Sequence, residues 1–175
     1  MDATALSGWD NFYVIVGSAA GGLTGLTFVV IALIRDARAT SLTGLRAFVS
    51  PTIVHFCGVL ALAAYLSMPH QRLLTLSLGF EVGGIAGVIY GISTAVMMRR
   101  GLPGYVPVRE DWVWNIILPT LVYGALFLMG VTLWHRPEQT LFGVAALSLF
   151  MLFIAIHNAW DIAVWMTTTK KSDPN

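Results

Sequence analysis

Long apolar runs separated by short polar connectors set the pattern of this chain. The runs cover roughly 12–34, 46–68, 73–97, 112–134 and 140–166, the third containing Glu81 and the fifth Asp161. Each is about 20 residues or longer, and at ~1.5 Å of rise per residue that length crosses a ~30 Å hydrocarbon layer. The pattern predicts an all-α fold, a polytopic bundle of five transmembrane helices forming one domain over residues 1–175. Little chain remains for a soluble domain, so any chemistry belongs to the helices or their connectors.

Two of the runs carry glycine at every fourth position: Gly17, Gly21 and Gly25 in the first, Gly79, Gly83, Gly87 and Gly91 in the third. Four residues is close to one helical turn, so each series is expected to form a strip without side chains. In lipid, such strips let helix backbones approach closely. They are read here as helix-packing seams, within the protomer and between copies in a homo-oligomer.

Composition sharpens this picture. Apolar residues make up 57% of the chain and charged residues 11%, about half the charge of an ordinary soluble domain. Residues 1–10 contain no Lys or Arg, so they do not resemble a secretory signal, and the first span is expected to be retained. Eight of the ten basic residues fall on one side of the predicted spans: Arg35, Arg38, Arg46, Arg99, Arg100, Arg109, Lys170 and Lys171. The positive-inside rule then puts the N-terminus outside and the C-terminus in the cytoplasm. Aromatic belts agree, with Trp9, Phe12, Tyr13, Tyr65 and Trp134 outside and Tyr105, Trp112, Trp160 and Trp165 inside. The formal net charge of +1 gives no sign of a nucleic-acid partner. The lipid bilayer, with its anionic headgroups, is partner enough for the basic loops. The single cysteine, Cys57, is read as a small buried filler.

The chain also matches itself. Gly17-Ser-Ala-Ala-Gly21-Gly22-Leu-Thr-Gly25 aligns in every glycine with Gly79-Phe-Glu-Val-Gly83-Gly84-Ile-Ala-Gly87. Further on, Pro51-Thr-Ile-Val-His55 aligns with Pro119-Thr-Leu-Val-Tyr123. Spans one–two and three–four would then form a parallel repeat, with span five unpaired. Pro119 lies well inside the fourth span and cannot donate to the Asn115 carbonyl, so a kink is expected there, and at Pro51 as well if its helix starts near Ser41.

Four titratable side chains fall inside the runs: His55, Glu81, His157 and Asp161. Burying each in lipid is costly, so each calls for a partner, a cavity or a task. His157 and Asp161 stand one turn apart and can pair. Helix rise puts both histidines roughly 10–14 Å from the inner boundary and Glu81 roughly 12 Å from the outer one. Glu81 is turned ~200° from Gly79 and Gly83, so it is expected to point away from the glycine strip, toward a symmetry axis if copies assemble.

Three functions fit these residues. A proton or cation channel or transport assembly would use Glu81 with His55, His157, Asp161, Asn158 and Tyr123 along the path. A redox protein would hold a b-type haem between His55 and His157, or a metal ion with Glu81 or Asp161 added. In a non-enzymatic accessory, regulatory or structural membrane component, His157 would bond Asp161, His55 would bond Tyr123 or a carbonyl, and Glu81 would be protonated or paired with a partner subunit. The third reading is preferred, with no cofactor expected; no nucleophile–base pair, phosphate loop or clustered zinc site is present, so a hydrolytic enzyme with catalytic residues is not expected. A larger membrane complex is a further expected partner.

The segment Trp9-Asp-Asn-Phe-Tyr-Val-Ile-Val-Gly-Ser-Ala-Ala-Gly-Gly-Leu-Thr-Gly-Leu-Thr-Phe-Val, with Asn158-Ala-Trp-Asp161 near the end, resembles a group of small bacterial membrane proteins of uncharacterised function. The resemblance is strong over the first and fifth spans and weak between them. It implies a multi-pass protein of the bacterial cytoplasmic (inner) membrane and brings no activity with it. Shared patterns at both ends lead to the expectation that Thr24 and Thr27 meet Asn158.

Overall fold

The computed structural model describes residues 6, 8–37, 42–100 and 107–168. The boundary markers Arg38, Tyr105, Lys170 and Lys171 lie outside the described residues. The chain forms α1 (Asp10–Ala37), α2 (Leu42–Leu66), α3 (Leu73–Arg99), α4 (Arg109–Trp112), a π turn (Val113–Ile117), α5 (Leu118–Thr132) and α6 (Pro137–Thr168). No strand occurs among the described residues. Four helical stretches are long and apolar enough to cross a membrane: Asp10–Ala32, Leu73–Arg99, Arg109–Thr132 and Pro137–Val164. A fifth, Ser50–Leu66 within α2, is apolar but shorter.

Local chemistry explains where these helices stop. Pro69 cannot continue α2, and His70 turns the chain with φ of 56°. Gln71 Nε2 then donates to the Tyr65 carbonyl at 2.8 Å, which also accepts the Met68 N–H at 3.2 Å, closing the end of α2. The Tyr65 hydroxyl donates to the Thr75 carbonyl, and the Arg72 N–H donates to Thr75 Oγ1 at 3.1 Å, opening α3. Pro137 starts α6 at the helical position that needs no amide hydrogen.

The broadest helix contact is α3 on α5, followed by α1 on α2, and α6 touches both α2 and α5. The contacts therefore run α1–α2–α6–α5–α3, with α6 in the middle. One buried cluster joins Tyr13, Leu66, Leu76, Phe80, Leu126, Leu133 and Leu141. A second joins Val16, Ala20, Val59, Val122, Met151 and Ile154. Large apolar side chains also cover the outside, including Ile15, Leu26, Val82, Leu121, Phe142 and Phe153. So much exposed apolar surface is foreign to a soluble monomer and natural to a lipid-facing bundle. Cys57 is exposed on this surface, not buried as its composition class suggested.

The glycines pack differently from a straight four-residue strip. A helix advances ~400° over four residues, so such a series drifts ~40° per step and cannot keep one neighbour. The buried stripe of α3 instead runs through Ser77, Phe80, Gly84, Gly87, Gly91, Thr94 and Met98, alternating three and four. A Cβ on Gly84 would fall 2.7 Å from the Phe127 amide nitrogen, one on Gly87 would strike the Tyr123 ring, and one on Gly91 would strike Thr120 Oγ1. Gly79 lies under the Tyr65 ring of α2, while Gly83 has only ordinary contact with Leu126. In α1, a Cβ on Gly17 would lie 3.0 Å from Ala63 Cβ and one on Gly21 3.8 Å from Leu60, but Gly22 and Gly25 meet nothing within 4 Å. The first strip is thus a seam at one end only.

Candidate functional site

Polar side chains gather at three levels of the bundle. At the end bearing the α2–α3 turn, Ser77 sits between helices. Its Oγ lies 3.1 Å from Glu81 Oε1 and 3.0 Å from the Gly130 carbonyl of α5. It also accepts Trp134 Nε1–H at 3.2 Å. Ser77 is buried and Glu81 half-buried. A Cβ on Gly130 would lie 2.7 Å from Glu81 Cγ. Glu81 therefore faces α5, on the flank of the glycine stripe, and does not point away from it. The four-residue drift is again the reason: Ser77, Glu81 and Gly84 share a side of the helix that Gly79 has left.

At the middle level, His55 of α2 is buried, and its Nδ1 lies 3.2 Å from the Tyr123 hydroxyl of α5. Tyr90 of α3 stands edge-on, ring centroids 6.3 Å apart. His55 Nε2 is buried with no hydrogen-bond partner, as is Thr120 Oγ1. Gly58 makes room for the Tyr123 hydroxyl, 3.1 Å from where its Cβ would be. The self-match of the sequence paired His55 with Tyr123, and the fold brings these two positions into contact.

The third level rests on Pro119. Leu118 N–H bonds the Val113 carbonyl, five residues back, in the π turn. The Trp114 carbonyl would next look to residue 119, which is proline and has no hydrogen to give. Asn158 Nδ2 of α6 supplies one instead, at 3.3 Å. Next to it, the His157 ring stacks on the Trp114 ring, centroids 3.7 Å apart and planes within 8°. Two consecutive residues of α6 thus hold one residue of the π turn. His157 Nδ1 is 3.2 Å from Asp161 Oδ2, close enough for an ion pair but without hydrogen-bond alignment. Pro51, the counterpart of Pro119, is buried inside α2.

Thr24 and Thr27 do not reach Asn158. Their hydroxyls bond back to the Ala20 and Leu23 carbonyls of α1, at 2.7 and 2.8 Å. Between α1 and α6 there is instead an apolar groove of about 250 Å³, with Phe56 at its floor and Leu23, Thr27, Ile156 and Ala159 on its walls.

No hydrogen bond or ion pair among the described residues links Glu81, His55 and the His157–Asp161 pair into a ladder. Nor do three or more His, Cys, Asp or Glu side chains converge as metal ligands among those residues. The sequence reading overlooked Ser77, Trp114, Gly130 and Trp134. Ser77 could have been found one turn before Glu81, whereas α-helical spacing from Pro119 leads to Asn115 and passes over Trp114. Gly130 and Trp134 carry no local signal, because only tertiary packing brings them to Ser77.

No family model, curated protein or solved structure matches this chain. Its class rests on its own architecture, an all-helical bundle with four helices long and apolar enough to span a membrane.

Proposed function

We propose that this protein is a non-enzymatic structural or accessory component of a membrane, assembled as a homo-oligomer and able to join a larger complex. The observation that carries this reading is how the polar side chains are used. His55 holds Tyr123, Asn158 holds Trp114, and Ser77 holds Gly130, each tying one helix to another. Polar groups spent this way act as fasteners in an apolar medium. A conducting path would need them to face a common aqueous lumen.

In this reading α2 crosses with the four longer helices, making five spans with the N-terminus outside and the C-terminus in the cytoplasm. The resemblance of the first and last spans to small bacterial membrane proteins supports a bacterial inner-membrane location. The open Gly22–Gly25 face of α1 suits contact between copies. The contact order α1–α2–α6–α5–α3 supports a parallel repeat, since each hairpin packs on itself and presents its second helix to α6.

Reconstitution into liposomes tests the proposal. The expected result is no proton or cation flux above empty vesicles, and an assembly larger than one chain in mild detergent. Flux that Glu81→Gln removes would replace the proposal with a channel. A Soret band lost on His55→Ala would replace it with a haem protein.

A further inference from the structure

We infer that Glu81 Oε1, Ser77 Oγ and the Gly130 carbonyl form a binding site for one small monovalent cation of the sodium type. The argument begins with hydrogen counting. A serine hydroxyl has one hydrogen and two lone pairs. Ser77 Oγ lies 3.1 Å from the Glu81 carboxylate oxygen and 3.0 Å from the Gly130 carbonyl oxygen, and both are acceptors. One hydrogen cannot serve both. Trp134 Nε1–H, at 3.2 Å, occupies one lone pair, so one lone pair of Oγ and one acceptor oxygen remain. A proton on the carboxylate or a cation seated among the three oxygens completes the set, and only the cation makes stability depend on sodium.

The surroundings favour such a guest. Gly130 lies near the C-terminal end of α5, where the helix dipole is negative and its carbonyl keeps only a long 3.4 Å backbone bond from the Leu133 N–H. Only glycine at 130 lets Glu81 come this close, since a Cβ there would lie 2.7 Å from its Cγ. All three donors are hard oxygens, which select hard cations. A single carboxylate balances one charge, whereas calcium takes six to eight oxygens. Half-buried Glu81 and the exposed Trp134 beside it leave room for water to fill the remaining coordination positions. The cation would bridge α3 and α5 and lock the end of their seam. Binding here involves no passage across the bundle, so it stands apart from the flux test above.

The purified protein is melted in detergent in sodium chloride and, at equal ionic strength, in choline chloride. Sodium is expected to raise the midpoint by ~3 °C. The rise should vanish in Glu81→Gln and shrink in Ser77→Ala, each compared with itself in the two salts, so a general loss of stability does not mimic the effect. In parallel, an apolar carbodiimide is used to modify Glu81, and sodium is expected to slow the reaction several-fold in the wild type and not in Ser77→Ala. Equal melting in both salts, or a sodium effect that survives Glu81→Gln, overturns the inference. So does a carbodiimide rate indifferent to sodium, including no reaction in either salt.

Discussion

Asn158 donates its side-chain amide to the backbone carbonyl of Trp114, 3.3 Å away on another helix. That carbonyl is free because Pro119 supplies no hydrogen and Leu118 has turned to Val113. A break in one helix is thus repaired by its neighbour, as lipid requires when no water is at hand.

The repair predicts a coupled pair of substitutions. Asn158→Ala should destabilise the protein by about 1–3 kcal/mol, the penalty for orphaning a buried acceptor. Pro119→Ala restores an N–H and lets the turn return to α geometry, giving Trp114 O a backbone donor. In the Pro119→Ala background, Asn158→Ala should therefore cost less, with a coupling of about 0.5 kcal/mol or more. A double-mutant cycle by denaturant unfolding in micelles measures it, and strict additivity would refute the account.

Glycine positions that look alike in sequence should respond differently. Gly84→Ala drives a Cβ into backbone atoms of α5, 2.7 Å from Phe127 N and 2.8 Å from Tyr123 O. No rotamer change relieves that, and a loss of about 1–3 kcal/mol or more is expected. Its sequence counterpart Gly22, like Gly25, meets nothing within 4 Å. Gly25→Ala should change protomer stability by less than about 0.5 kcal/mol. Thermal melts of the two variants settle the contrast, which equal destabilisation would contradict.

The His55–Tyr123 pair has its own signature. Tyr123→Phe leaves both ring nitrogens of His55 buried without partners, because Nε2 has none already. The expected loss is about 1–3 kcal/mol. Replacing both residues, as His55→Leu with Tyr123→Phe, should recover part of it, since no buried polar group is then stranded. Unfolding midpoints of the single and double variants test this, and a double variant worse than the sum would count against it.

Much of the fold was legible because run length decides it. Apolar stretches of about 20 residues allow few structures other than membrane-crossing helices, and four such helices are present. Side-chain placement was less legible, for a geometric reason. Counting glycines by fours treats 400° as a full turn, and over Gly79 to Gly91 the error reaches ~120°. That error aimed Glu81 away from α5, the helix it faces. The expected contact of Thr24 and Thr27 with Asn158 failed for a different reason, because each threonine satisfies its hydroxyl on its own helix. The Trp114–Asn158 bond needed the π turn, which no residue pattern announces.

The drift of the glycine series has a consequence for how α3 is held. Its bare positions pass from one neighbour to another along its length, Gly79 under Tyr65 of α2 and Gly84 to Gly91 against α5. The helix is gripped like a screw by two nuts set at different heights. α3 thereby adds a second tie between the two hairpins of the chain, beside the one α6 makes by touching both α2 and α5.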